Sequence, residues 1–327
     1  MCIRDRPIRS KGLRGVFLDY RSIDPGDLDR SVLESALAAW DWHAGTAPEQ
    51  VAGRIADAEV IVSNKVPLPA EVLAGAGKLR LVCIAATGTD KVDLAAARDL
   101  GIQVSNVTAY ATPSVVQHVF TLVLALSTNL LKYHRDVING TWQAQQQFCL
   151  LDHPISELAG KTMGILGYGE LGKGVAGVAR AFGMKVLAGR RPGAAADDRL
   201  PLHELLPQVD VLSLHLPLAD NTRMLIGKEE LTMMKPSALL INTARGGIVD
   251  EHALAAALRS GEIGGAGVDV LALEPPADDN PLLAEDVPNL ILTPHTAWAS
   301  RESRQRLLDE IALNIRAFAK AKARNSV

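Results

Sequence analysis

Three residues late in the chain have types and placements that could do chemistry together. Arg245 follows the apolar run ALLINTA, Glu274 follows GVDVLAL, and His295 follows LILTP. A guanidinium can fork onto a carboxylate and a neighbouring carbonyl oxygen. An imidazole can give or take a proton near neutrality, and a carboxylate beside it favours the charged ring and fixes its orientation. Taken singly, each has a plainer reading: an exposed arginine, a loop glutamate, a surface histidine. A second cue lies upstream, where Gly167-Tyr168-Gly169-Glu170-Leu171-Gly172 spells GxGxxG directly after the apolar run TMGIL. One glycine suits a tight turn, one a close backbone approach to a pyrophosphate, one a helix–strand contact. The helix-start amides of Glu170 and Leu171 would face the phosphates.

The same stretch nearly forms a triphosphate loop, with Gly167, Gly172 and Lys173 in register. Gly174 then stands where that loop needs Ser or Thr to hold magnesium, so the ATPase reading fails. About twenty residues past the glycines a carboxylate would mark an NAD-type ribose contact. Here the strand is followed by Gly189-Arg190-Arg191 instead. Two readings stay open, a solvated basic pair or donors for a 2′-phosphate. The second favours NADP(H), with NAD(H) also admitted. With a nicotinamide site implied, Arg245, Glu274 and His295 suit hydride chemistry on a 2-oxo acid.

These residues need elements to position them. Strand patterns at 15–19, 59–63, 79–85 and 102–106 alternate with helical patterns near 27–39, 48–57, 68–76 and 93–100, the last capped by Gly101. Apolar strands separated by helices predict a parallel sheet covered on both faces. Thr112-Pro113 then opens a run, to about residue 138, that is apolar over two broad faces; it predicts one long helix buried between layers or subunits. Gly140 ends it, and 141–160 read as irregular. A second series has strands at 162–166, 184–188, 210–215, 238–242, 265–269 and 290–293, with helices near 171–182, 201–207, 228–234 and 250–260. That is the pattern of a doubly wound dinucleotide fold. Residues 301–322 form an amphipathic helix.

Composition agrees with two globular domains. The chain has 327 residues, 48% hydrophobic and 22% charged, with 34 basic against 37 acidic residues, which excludes disorder as the main state and any chain-wide field for nucleic acid. No apolar run approaches the roughly 20 residues of a spanning helix, so no membrane is expected. Three cysteines, an odd number with no CxxC pair, point to a reduced, cytoplasmic compartment. Aromatics at 4% argue against stacking platforms for single strands. Residues 1–13 read as an extension outside the fold, or as a basic import presequence.

The segments GYGELG, INTARGGIVDE, GVDVLALEPP and LTPHTAW resemble the D-2-hydroxyacid dehydrogenase family over roughly residues 14–320. SNKVPL, ATGTDKVDLAAARDLGI, AYATPSVVQH and FCLLDHPI resemble its glycerate dehydrogenase (hydroxypyruvate reductase) branch. The resemblance implies two doubly wound parallel-sheet domains: a Rossmann dinucleotide-binding domain at 108–295, inserted into a flavodoxin-like substrate domain made of 14–107 and 296–327. It implies Arg245 as the substrate-binding arginine, His295 as acid/base and Glu274 as its partner. It also implies Asp269 as a nicotinamide carboxamide contact, and Leu216-Pro217 and Thr243-Ala244 as cofactor-lining loops. Backbone amides of Thr87 and Gly88 would meet the substrate carboxylate. The expected reaction is hydride transfer between a nicotinamide cofactor and hydroxypyruvate/D-glycerate or glyoxylate/glycolate, by a homodimer formed through the long helix. Arg190, where NAD-using members carry an acid, is the departure.

Two other readings remain: a nucleotide-sensing, corepressor-like binding protein of the same fold, and a short phosphoglycerate dehydrogenase. His118 and His134 read as packing or interface residues. His43, His153, His203, His215 and His252 lack metal-ligand spacing, so no metal is expected. Trp298 is either a pocket wall or a core aromatic.

Overall fold

The computed structural model describes residues 12–145, 147–195 and 197–327. The expected extension therefore lies, for residues 1–11, outside the described residues, whereas Leu13 is buried in the core. The chain divides into two compact units, one running to Ala111 and resuming at Ala299–Val327, the other Thr112–Trp298. The changeovers fall a few residues beyond 107 and 295.

In the first unit the elements are β1 (Arg14–Phe17), α1 (Ser31–Glu34), β2 (Ala39–Trp42), α2 (Pro48–Ile55), β3 (Val60–Ser63), α3 (Ala70–Ala74), β4 (Leu81–Ile84), α4 (Leu94–Asp99) and β5 (Gln103–Ser105). Its parallel sheet runs β2-β1-β3-β4-β5, the flavodoxin order. β3 and β4 are buried along their whole length, as strands covered on both faces must be.

The helix expected over 27–39 is corrected to a single turn followed by the edge strand β2. Asp24 diverts the chain, its Oδ1 accepting the amides of Gly26 at 2.7 Å and Asp27 at 3.1 Å. Trp42 then stacks against Phe17 with ring centroids 5.4 Å apart.

The second unit holds α5 (Thr112–Ser127), α6 (Leu130–Ile138), α7 (Thr141–Ala144), β6 (Thr162–Leu166), α8 (Glu170–Ala181), β7 (Lys185–Gly189), α9 (Leu202–Leu205), β8 (Val211–Leu214), α10 (Lys228–Met233), β9 (Leu239–Asn242), α11 (Glu251–Ser260), β10 (Gly265–Val268) and β11 (Leu290–Leu292). Its sheet runs β11-β10-β9-β8-β6-β7, all parallel. Leu200 bridges Gly189 in parallel beyond β7, a rudiment of the outer strand that completes the Rossmann order. The order reverses between β6 and β8, so the ligand crevice of such a sheet opens at the carboxyl ends of those two strands.

The single long helix expected over 112–138 is corrected to two, α5 and α6, bent by 59°. Asn129, in the left-handed region at φ +51°, breaks it; asparagine is among the few residues that visit that region readily. Only α5 is buried. Glycines draw it onto the sheet: a Cβ on Gly267 would come within 2.9 Å of Leu122, and one on Gly265 within 3.3 Å of Leu126. Among the described residues no single helix is long and apolar enough to cross a membrane, although the bent pair together meets the length and composition. Finally α12 (Arg301–Ala319) returns to the first unit, where its Asn314 donates to the Asn106 carbonyl at 2.8 Å.

Candidate active site

Local backbone chemistry shapes the glycine loop between β6 and α8. Gly167 has φ +96°, and a Cβ there would lie 2.5 Å from the His215 carbonyl oxygen after β8; a Cβ on Gly172 would lie 2.2 Å from the Gly167 oxygen. Both glycines are therefore required by close approach. Gly169, by contrast, faces open space and caps α8 with no side-chain hydrogen bond to the first-turn amides. Glu170 turns its carboxylate aside to accept from Thr112 Oγ1 at 2.6 Å. Amides of a twelve-residue helix left uncapped beside an unobstructed glycine suit an anionic phosphate.

Two further observations fit a nucleotide along this edge. Among the described residues, His215 Nδ1 and Thr243 Oγ1, at the carboxyl ends of β8 and β9, are buried polar atoms without a protein partner, an arrangement that costs free energy unless something else satisfies them. His215 Nε2 is engaged by Ser213 at 2.9 Å, and burial pushes this imidazole down to about 4. Leu216 is buried, and the Pro217 carbonyl accepts the Thr222 hydroxyl at 2.8 Å, which fastens that loop. Ala244 donates its amide to Asn242 Oδ1 at 3.1 Å.

At the far end, Arg190 and Arg191 follow β7, with the Arg190 amide on the Leu200 carbonyl at 2.7 Å. Beside them a shallow cleft is lined by Tyr168, Val186, Ala188, Asp197, Asp198 and Arg199. Reading only the residues that directly follow the strand misses these two carboxylates, which chain return brings alongside it. Arg199 holds Asp197 through Nε at 2.8 Å. That bond keeps the Asp197 carboxyl below its usual range, with a smaller pull from Arg190.

Arg245, Glu274 and His295 follow β9, β10 and β11 in turn. His295 Nδ1 lies 2.6 Å from Glu274 Oε2, and Glu274 Oε1 accepts the Leu271 amide at 3.0 Å. The carboxylate accepts only, so Nδ1 carries the proton and Nε2 is the atom left to exchange one. His295 itself is left-handed at φ +55°, and its amide donates to the Asp269 carbonyl at 2.8 Å.

Asp269, 1% exposed, accepts from Thr293 Oγ1 at 2.5 Å and from the amides of Thr296 and Ala297, each at 2.9 Å. Arg245 sits on the loop after β9, its Nη1 donating to the Ala244 carbonyl at 2.7 Å. The next residue, Gly246, packs so closely that a Cβ would lie 1.9 Å from the Leu271 oxygen. The arginine's loop and the glutamate's loop are thereby held together.

Thr87 and Gly88 belong to the first unit, on the loop after β4. Thr87 Oγ1 donates to the Val107 carbonyl at 2.8 Å, and the Thr87 carbonyl accepts from Asn106 Nδ2 at 2.8 Å. Among the described residues their amides donate to no protein acceptor, which leaves them available to an anion.

A family model described as D-isomer specific 2-hydroxyacid dehydrogenase, NAD binding domain, matches residues 120–297. The chain belongs to the D-isomer-specific 2-hydroxyacid dehydrogenase family. It is 46% identical to a glycerate dehydrogenase of Methylorubrum extorquens over 92% of this chain and 97% of that one. It is 39% identical to a hydroxypyruvate reductase of Blautia hydrogenotrophica over 95% and 98%. Its fold matches the crystal structure of the TT0316 protein from Thermus thermophilus with a TM-score of 0.84, 33% identity, and coverage of 96% of this chain and 100% of that one. A dehydrogenase of this family is thus an oxidoreductase with a nicotinamide-dinucleotide domain.

From sequence His118 reads as a packing residue, yet it carries a hydrogen bond into this site, from Nε2 to Thr293 Oγ1 at 3.0 Å. Its PSVVQH context holds a helical signal but no catalytic one, so only the packing of α5 on β10 reveals it. Trp298 is half-buried at the end of the second unit.

Proposed function

We propose that this dehydrogenase reduces small 2-oxo acids, hydroxypyruvate to D-glycerate or glyoxylate to glycolate, with NADPH preferred over NADH. The observation that carries the reading is the 2.6 Å contact of His295 Nδ1 with Glu274. It fixes the ring tautomer and leaves Nε2 as the proton donor to the substrate oxygen. Arg245 forks onto the substrate carboxylate and keto oxygen, and the Thr87 and Gly88 amides take the carboxylate. The glycine loop, Leu216-Pro217, Thr243-Ala244 and Asp269 would hold the cofactor, whose nicotinamide supplies the hydride. As the oxygen gains charge, the imidazolium delivers its proton, and Glu274 stabilises the charged ring until then. Initial rates with hydroxypyruvate, glyoxylate, pyruvate and phosphohydroxypyruvate, each with NADPH and NADH, test this. No turnover of any of them would overturn it, and preference for the phosphorylated acid would favour a phosphoglycerate dehydrogenase.

The NADPH preference is supported by Arg190 and Arg191 at the end of β7, and by Arg199, which masks Asp197 from a 2′-phosphate. Assembly as a homodimer is supported by the apolar side chains that α6 and the segment after it leave exposed. Ile138 is 71%, Phe148 90% and Leu151 78% exposed, and a patch of that character calls for a partner. Light scattering at micromolar concentration should give about twice the 34.9 kDa chain mass; a mass of one chain would refute it.

A further inference from the structure

We infer that His118 is a positioning residue for His295, acting through Thr293 and Asp269. The inference rests on the reading of His295 as the proton donor, and it starts from proton accounting. Thr293 has one hydroxyl proton, and it is committed to Asp269 Oδ1 at 2.5 Å. The hydroxyl oxygen can then only accept from His118 Nε2 at 3.0 Å, so that nitrogen carries a proton. The same nitrogen lies 3.5 Å from Asp269 Oδ1. The bonds run one way, from imidazole N–H to hydroxyl to carboxylate, and such chains polarise in a direction that strengthens each member.

Everything downstream of that carboxylate belongs to the reactive loop. Asp269 clamps the amides of Thr296 and Ala297 with its side chain and the amide of His295 with its carbonyl. His295 occupies the left-handed region at φ +55°, a conformation that costs a non-glycine residue and persists only where its surroundings impose it. The clamp imposes it from one side of the loop, and Thr293, two residues before His295, ties the clamp to α5. The helix reaches this far because Gly265 and Gly267 leave no side chain between β10 and Leu122 or Leu126. Without a donor at position 118, the Thr293 oxygen loses the hydrogen bond it accepts, and the Asp269 carboxylate loses the imidazole N–H 3.5 Å away.

Two pairs of variants separate positioning from bulk. His118→Gln keeps an N–H donor and His118→Leu keeps only size; Thr293→Ser and Thr293→Val repeat the contrast one link further along. The Leu and Val variants should lower kcat for hydroxypyruvate roughly three- to tenfold, the scale of one hydrogen bond, with the KM for the acid and the cofactor Kd within about twofold. The Gln and Ser variants should keep at least about half of kcat.

Amide hydrogen exchange at His295, Thr296 and Ala297 reads the same effect without turnover: faster in Leu and Val, unchanged in Gln and Ser. Native kcat and native exchange in both Leu and Val variants would overturn the inference. So would equal losses in Gln and Leu, which would make position 118 a matter of packing. A native enzyme inactive on all 2-oxo acids would instead remove the reading of His295 as proton donor, and exchange would still decide whether His118 holds the segment.

Discussion

The two ends of the second unit's sheet edge are built on opposite terms. At the β10–β11 end the groups proposed for proton transfer are tied down from below: Asp269 is almost fully buried and accepts from a hydroxyl and two amides. At the β7 end the charges stand in solvent, with Asp197 and Arg199 about one-third exposed and Arg191 exposed. Burial makes a hydrogen bond hard to replace by water, whereas exposed charges are screened and cheaply rearranged. The first end is therefore suited to holding one atom in place, the second to biasing between similar ligands.

The sharpest way to break this contrast is to remove the proposed proton donor. His295→Ala should reduce the rate of 2-oxo acid reduction by roughly 10²–10⁴ while cofactor affinity, set elsewhere along the edge, stays nearly unchanged. Stopped-flow rates and fluorescence titration of the cofactor check both halves; an unaltered rate would end the assignment. Glu274→Gln should cost less. It leaves an acceptor that keeps the ring oriented but takes away the counter-charge of the proton-bearing ring, and initial rates of hydroxypyruvate reduction measure the loss.

A buried ionisable group should also mark stability, and His215 is the test. Its folded value of about 4 lies below the ordinary 6.5, so between those values the unfolded chain binds more protons than the folded one. Stability is then complete above about pH 6.5 and falls as pH drops toward about 4, by up to about 3 kcal/mol at 1.36 kcal/mol per unit. His215→Gln should flatten that acid limb in urea melts, whereas exposed Asp197, lowered by its pairing with Arg199, should leave no comparable mark. A variant with the native acid limb would place the loss elsewhere.

Much of this site is legible in the chain itself because its demands are local. GxGxxG must be glycine where a Cβ would strike the His215 or Gly167 oxygen, and Arg245, Glu274 and His295 each follow an apolar run that contains a strand. Both sheets follow from the same alternation. What escaped reading lies partly in local turns and partly in tertiary contact. The strand β2 hides behind a helix-like spacing over 27–39, although Trp40-Asp41-Trp42 alternates with period two and Asp24-Pro25-Gly26-Asp27 marks a turn. The break at Asn129 is one residue's backbone choice. Asp197 reaches the β7 end only because Leu200 returns to pair with Gly189, and His118 reaches Thr293 only across a helix–sheet interface. Fold class needs periodicity alone, whereas a partner on another element needs the packing.

At the exposed end, effects should be smaller and salt-dependent. Arg190→Glu should reverse the proposed cofactor preference by about tenfold, the lower range for a hydrogen bond to a charged group in solvent. Comparing kcat/KM for NADPH and NADH in the native and variant enzymes measures it. A native enzyme that uses NADH at least as well would make the two arginines a solvated pair.

The smallest change tests whether the contrast extends to a residue that need not touch the cofactor. Arg199 holds Asp197 at 2.8 Å beside Tyr168 and Ala188, so it masks a carboxylate that would otherwise repel a 2′-phosphate. Surface pairs of this kind contribute little, because water screens them. Arg199→Ala should therefore raise the Kd for NADPH only about two- to fivefold and leave NADH, which lacks the phosphate, unchanged or slightly tighter. Because the Debye length shrinks to about 3 Å at 1 M salt, the difference between native and variant should vanish there, while the loss of rate in His295→Ala should not. Fluorescence titrations with both cofactors at low and high salt decide it. If the variant binds NADPH as the native protein does at low salt, Asp197 does not face the phosphate, and Arg190 would act without help from the far wall of the cleft.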